Sequence, residues 1–257
     1  MNDKNDAIRR RYETQLGTEF WPTFDGLNKN WSWGLMRLKE FRVLFSRDDD
    51  VALLNAITGG GFTYDVQHIL WEDLLLQVCK LTDPKKSAGK DNLSVSRLPS
   101  FFEGKNPVLF NKLQYLVETA VEKAEFARDW RNRYISHSDW EKAISQHAKP
   151  LAKASIGQVQ AVLDAVHAVL NLISTELLEA HIWNDITVPP RARAFLTYTR
   201  QLVESVKFID ELVDPSGKAR FTDDDIASAF LSKHGLKPTH ENIRRIIELR
   251  RAARRFT

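Results

Sequence analysis

Apolar residues recur every three or four positions along most of this chain. Leu27, Trp31, Leu35, Leu38, Phe41 and Phe45 form one stripe between Gly26 and Phe45, the spacing of an amphipathic helix. Asp48-Asp49-Asp50 gives the next segment, residues 51–57, the acidic start that a helix N-terminus favours. Gly59-Gly60-Gly61 breaks it. A long helical run from Phe62 to Leu81 bears Val66, Ile69, Leu70, Asp73, Leu74 and Val78. Asp83-Pro84 ends that run, because proline disfavours helical geometry in the residue before it.

Residues 85–107 are rich in Lys, Ser, Gly, Asn and Pro and show little periodicity. They read as a long loop, of the kind that is functional or mobile in a compact domain, with an apolar patch from Leu93 to Phe102 packing back on the bundle. The helical pattern resumes from Val108 to Ile135 through Leu113, Leu116, Val117, Ala120, Ala124 and Ala127. After a boundary at Pro150, Ile156 to Trp183 forms another helix with Val159, Val162, Leu163, Val166, Leu170, Ile173 and Leu177 inward. Val188-Pro189-Pro190 closes this first unit. A helix from Arg193 to Val213, a turn at Asp214-Pro215-Ser216-Gly217 and two short helices complete the chain. The first of the two opens at Thr222 ahead of Asp223, Asp224 and Asp225, and the second spans Glu241 to Arg255. With no internal repeat and no alternating strand, the fold class is all-α: a bundle over 1–187 (core about 26–183 by this pattern) and a helical extension over 188–257.

Composition adds bounds. With 257 residues, 43% of them hydrophobic, the chain can bury a sizeable core. The formal charge is only +3. Residues 218–257 carry ten Lys/Arg against five Asp/Glu, so the basic character sits at the C-terminal end. Cys79, the single cysteine, excludes an intramolecular disulfide and a cysteine-rich zinc site. Among Leu74, Leu75, Leu76, Val78 and Leu81 it reads as a buried, inert thiol. Residues 1–11 do not read as a signal peptide, and no apolar run looks long enough to span a bilayer. The expectation is a soluble, cytoplasmic protein with no membrane partner.

The segment Arg131-Asn132-Arg133-Tyr134-Ile135-Ser136-His137 holds the candidate chemistry. A permanently charged guanidinium can stabilise a crowded phosphoryl group, and an imidazole can move protons near neutral pH. RNA cleavage without a metal needs those two parts. On an ideal α-helix, however, Arg131 and His137 sit about 120° apart in azimuth and about 9 Å apart along the axis. A composite site requires the helix to end or kink near His137, a second copy of the chain, or both. The same residues also suit an ordinary helix C-terminus, where Arg and His oppose the dipole.

Taken with its surroundings, this stretch resembles the HEPN superfamily, and within it the AbiU-type proteins linked to abortive infection. The signature there is an arginine, usually followed by Asn, His or Asp, then a histidine after four to six residues; Arg131, Asn132 and His137 fit with five. Trp130 through Arg133 and Ser136 through Asp139 are similar to the family's motif segment, with Ser136 where alanine is frequent. Upstream, Gly61-Phe62, Val66-Gln67, Leu70-Trp71-Glu72 and Leu81-Thr82-Asp83-Pro84 resemble its second helix and following turn, and Asn92 through Val95 with Leu98 its next segment. The resemblance covers roughly residues 30–183. It implies a HEPN-like bundle that dimerises, bringing two Arg/His sets together across a cleft, and metal-independent endoribonuclease activity in competent members. In that setting His137 acts as general base or acid. Arg131 stabilises the pentacoordinate phosphate, and Asn132 orients the phosphate or the imidazole.

The remaining candidates are less sharply defined. Arg133, four residues before His137, is either a phosphate contact or a solvated charge. Asp83 either approaches the motif as a substrate-binding residue or serves only its turn. Tyr134 and Tyr64 read as packing. The glycine cluster lacks the following Gly-Lys-Ser/Thr of a phosphate loop, and no histidine pair has metal-ligand spacing. Ser136, His137, Ser138 and Asp139 cannot converge as a triad from adjacent positions. Arg244-Arg245, Arg250-Arg251 and Arg254-Arg255, beside Ile243, Ile246 and Ile247, are either a solvated face of a docking helix or a nucleic-acid contact. The expected partners are RNA, a second copy of the chain and an antitoxin or regulator; no cofactor and no metal are expected. Two rivals stand beside the ribonuclease: an inactive RNA- or nucleotide-binding module, and a structural adaptor in which Arg131 and His137 only make capping or ion-pair contacts. A DNA-binding regulator would rest on the C-terminal arginines alone.

Overall fold

The computed structural model describes residues 3–58, 60–136, 150–185, 190–211, 222–233 and 235–253. Two compact units are distinguished: Met1–Val43 with Asp65–Pro190, and Leu44–Tyr64 with Arg191–Thr257. Helices dominate both, as the apolar spacing predicts.

Helix α1 (Asp3–Leu16) leads into α2 (Phe20–Phe45). The α2 stripe buries Leu27, Trp31, Leu35, Leu38 and Phe41, and the helix begins earlier than its stripe suggests, with Phe20, Trp21 and Phe24 also buried. Pro22 is tolerated there because the amide it lacks, in the first turn, would have no intrahelical partner. Helix α3 (Asp48–Thr58) starts at the three aspartates, and α4 (Gly61–Thr82) stops just before Asp83-Pro84.

The segment after α4 is more ordered than its composition suggests. Two-residue strands β1 (Lys86–Ser87) and β2 (Lys90–Asp91) pair antiparallel. They turn through Ala88 and Gly89, both at positive φ, as a tight two-residue hairpin requires. Two short 3-10 turns, Val95–Arg97 and Pro99–Phe101, then press Val95, Leu98 and Phe102 into the core. Phe102 meets Phe20 edge-on with 5.6 Å between ring centroids.

Helix α5 (Pro107–Lys123) opens with an Asn106 cap, whose side chain accepts from the Leu109 amide at 3.1 Å, and with proline at its first position. The helix expected to run unbroken to Ile135 changes form twice. It breaks at Ala124, restarts as α6 (Glu125–Trp130), and widens into a π turn over Arg131–Ile135.

Helix α7 (Ile156–Leu178) is the central helix of the first unit and packs against α5 and α1. By length and composition it is apolar enough to cross a membrane, which corrects the expectation that no segment is. Its apolar residues are interrupted by polar ones, so no unbroken run shows in the sequence, and ten of its residues are buried in the protein. The helix stops at Leu178 rather than Trp183. Glu179 takes a left-handed conformation and the Ala180 amide donates back to the Ser174 carbonyl, a helix-terminating pattern. Polar bonds tie the layers: Trp31 Nε1 donates to the Leu163 carbonyl at 2.9 Å, and Gln77 Nε2 to the Asn30 carbonyl at 2.7 Å.

The second unit holds α3, α8 (Arg191–Glu211), α9 (Asp223–Lys233) and α10 (His240–Ala253). Buried Asp50 on α3 pairs with Arg200 on α8. At the start of α9 the Thr222 hydroxyl accepts from the Asp225 amide while the Asp225 carboxylate accepts from the Thr222 amide, a reciprocal cap. Those bonds hold the Asp225 carboxyl below its ordinary pKa. Arg254 and Arg255 lie outside the described residues, as do Pro189 and the expected turn at 214–217.

Candidate functional site

Sequence places Arg131 at the end of α6, and the fold brings the end of α4 to meet it. Nη1 of Arg131 lies 2.7 Å from both Oδ1 and Oδ2 of Asp83, and Nε donates to Oδ1 of Asn132 at 3.1 Å. Among the described residues Nη2 of Arg131 has no acceptor. The pair is neither surface nor core: 25% of the Arg131 side chain and 18% of the Asp83 side chain are exposed. Burial works against the guanidinium charge, but the hydrogen bond and negative charge of Asp83 outweigh it, and the pKa of Arg131 is raised further. Asp83 therefore does approach the motif, through the arginine.

Arg128, which sequence reasoning passed over, supports the same carboxylate from behind. Its Nη2 donates to the Thr82 carbonyl at 2.8 Å and to Thr82 Oγ1 at 3.2 Å. Its Nη1 donates to the Val121 carbonyl at 2.8 Å and to Glu125 at 3.0 Å. Its Nε is 3.9 Å from Asp83 Oδ1. The signal was present: Arg128 precedes Arg131 by three residues, the spacing that puts two side chains on one helix face. Two guanidinium groups thus flank one carboxylate, leaving a local excess of positive charge.

Cys79 lies beneath this group, fully buried. Burial pushes its thiol up to about 11, against the opposing pull of Arg131. It is the inert thiol that its leucine-rich surroundings indicate.

The π turn itself is closed by the Ser136 amide donating to the Arg131 carbonyl at 2.9 Å, five residues back, and such turns are frequent at functional sites. It supplies the change of helical course near His137 that the azimuth argument calls for. His137 lies outside the described residues, as do Ser138 and Asp139. On one side, the chain returning at 150–152 binds the turn. Trp130 Nε1 donates to the Ala152 carbonyl at 2.8 Å, Asp129 accepts from the Ala152 amide at 2.8 Å, and Arg133 Nη1 donates to the Pro150 carbonyl at 3.3 Å. Arg133 also lies 3.5 Å from Asp129. Its guanidinium is thus engaged on this side, not alongside that of Arg131.

On α4, the Tyr134 hydroxyl is 2.9 Å from His68 Nε2, which is also 3.0 Å from Glu72. His68 and Glu72, one helical turn apart, gave no motif in the sequence. Only the fold carries them to Tyr134, 66 positions from His68. Tyr64 belongs to the other unit and is exposed.

The HEPN family model described as AbiU2 matches residues 23–198, well over half of the chain. That span contains Asp83 and the whole segment from Arg128 to His137. No curated protein and no solved structure matches the chain.

Proposed function

Because the chain belongs to the HEPN AbiU2 family, a helical family of the abortive-infection type, we propose that it is a metal-independent endoribonuclease whose catalytic pair is Arg131 and His137. One observation carries the reading. Arg131 is braced on two sides by Asp83 and Asn132, stays charged, and keeps Nη2 without an acceptor among the described residues. An immobilised cation with one edge free is what a phosphoryl oxygen needs in order to gain negative charge cheaply.

The chemistry follows. A base removes the proton from a ribose 2′-hydroxyl, and O2′ attacks the adjacent phosphorus. The pentacoordinate phosphate then forms against Arg131. The bond to O5′ breaks, and O5′ takes a proton from an acid, leaving a 2′,3′-cyclic phosphate and a 5′-hydroxyl. His137 serves one of the two proton transfers, and a second copy of the chain supplies the other imidazole across a dimer cleft. Asp83 and Asn132 position Arg131. RNA in the cytoplasm is the substrate, and the toxic potential of such a reaction calls for an antitoxin or a regulatory partner.

The test is digestion of RNA by wild type and by His137→Ala in excess EDTA. Wild type cleaves, and loss of the imidazole slows cleavage by about 10²–10⁴-fold. Equal rates, or no cleavage by the wild type, would remove the proposal.

A further inference from the structure

Tyr134 carries an aromatic ring in an unusual setting. It keeps 39% of its surface in solvent, yet both ends are fixed. Trp130 meets the ring edge-on at 5.7 Å and 78°, and His68 does so at 5.7 Å and 82°. The hydroxyl is anchored on His68 Nε2, so His68 holds the ring by its hydroxyl end. Glu72 on the same nitrogen, at 3.0 Å, restrains the imidazole in turn. A partly solvated aromatic ring with locked orientation loses little entropy when something flat lies against it. Tyr134 follows Arg131 by three residues on the π turn, about 4 Å along the axis at a helical rise. That separation is within reach of one nucleotide spanning from phosphate to base.

We propose that Tyr134, held edge-on between Trp130 and His68, is the platform on which the nucleobase attached to the Arg131-bound phosphate stacks. The inference rests on the RNA reading above and narrows its substrate class. A base in a perfect duplex already has both faces covered by its neighbours, so it cannot lie on Tyr134. The substrate is therefore RNA that is unpaired at the cleavage position, the class that aromatic platforms recognise. Because every base has a flat face, Tyr134 selects for an unpaired base and not for a sequence.

The experiment uses the full chain and a short 2′-O-methyl RNA strand, which lacks the attacking hydroxyl, so binding is read apart from cleavage. One base is 2-aminopurine, whose fluorescence falls on stacking. Wild type and Tyr134→Phe bind the strand and quench it, since the ring is what matters, and Tyr134→Trp does the same or better. Tyr134→Leu keeps apolar bulk without a π face; it binds about tenfold more weakly or worse and does not quench. The same strand in a perfect duplex binds more weakly than when single. Equal binding and quenching by Tyr134→Leu, with binding still weakened by Arg131→Ala, would overturn the platform and leave the RNA site standing. Tyr134→Phe behaving like Tyr134→Leu would show that the anchor to His68 matters instead of the ring, and would also overturn it. No binding of the strand by wild type would sink both readings.

Discussion

Nη1 of Arg131 sits 2.7 Å from both carboxylate oxygens of Asp83, so the turn after α4 fixes the head of an arginine 48 positions later in the chain. This contact decides where the guanidinium points, and Arg128 decides where Asp83 sits. The order of dependence yields separable consequences.

Replacing Asp83 with Asn keeps the shape and removes the charge between two guanidinium groups. RNA cleavage should fall about tenfold, roughly the 1.4 kcal/mol that a charge-assisted hydrogen bond can supply. Folding stability should fall by about 1–3 kcal/mol. Single-turnover cleavage rates and urea titrations read the two effects separately. An unchanged cleavage rate would mean that Arg131 needs no brace.

Arg128→Lys retains the charge but not the planar fork, so the Thr82 and Val121 carbonyls cannot both be served. The expected cost is about 1–3 kcal/mol in denaturant unfolding. A variant as stable as wild type would show that the four bonds from Arg128 count for little.

Gly34 on α2 faces α7 at close range. A Cβ built there would lie 3.1 Å from Leu163 Cδ2 and 3.2 Å from Gln77 Cγ. Gly34→Val should therefore destabilise the first unit by about 1–3 kcal/mol, the usual cost of overpacking. Thermal unfolding checks this, and a raised midpoint would contradict the tight packing of α2 on α7.

Cys79 links stability to alkaline pH. Its thiol is pushed up to about 11 from 9.0 by burial, so between those values the unfolded chain has lost a proton that the folded chain still holds. Stability is then fully present below pH 9 and declines as pH rises toward 11, by about 2–3 kcal/mol. Cys79→Ala should flatten that part of the profile. In the native protein at pH 8 the thiol should resist alkylation until denaturant is added.

Much of the fold was legible because core helices announce themselves through spacing: the α2 stripe, the Asp48 start of α3, the stop at Asp83-Pro84 and the burial of Cys79 all follow from local rules. The arginine motif was legible in the same way, as residue types at a fixed interval. What escaped depends on contacts distant in sequence or on register. Spacing rules assume a uniform α-helix, so the break at Ala124 and the π turn at Arg131–Ile135 had no signal. The stop at Leu178 depends on the left-handed Glu179, which the sequence does not mark with a glycine. The His68–Tyr134 bond joins two elements that only tertiary packing brings together. Residues 85–107 looked structureless because their order comes from a two-residue hairpin and 3-10 turns, too short to show a period.

The central claim is that a 2′-hydroxyl attacks a phosphate braced by Arg131, and a DNA strand carrying one ribonucleotide tests it most directly. In excess EDTA, wild type should cut only after that ribonucleotide and leave a 2′,3′-cyclic phosphate, with Arg131→Ala slower by about 10²–10³-fold. Cleavage of an all-deoxy strand, or equal cleavage of the single-ribonucleotide strand by Arg131→Ala, would contradict the account.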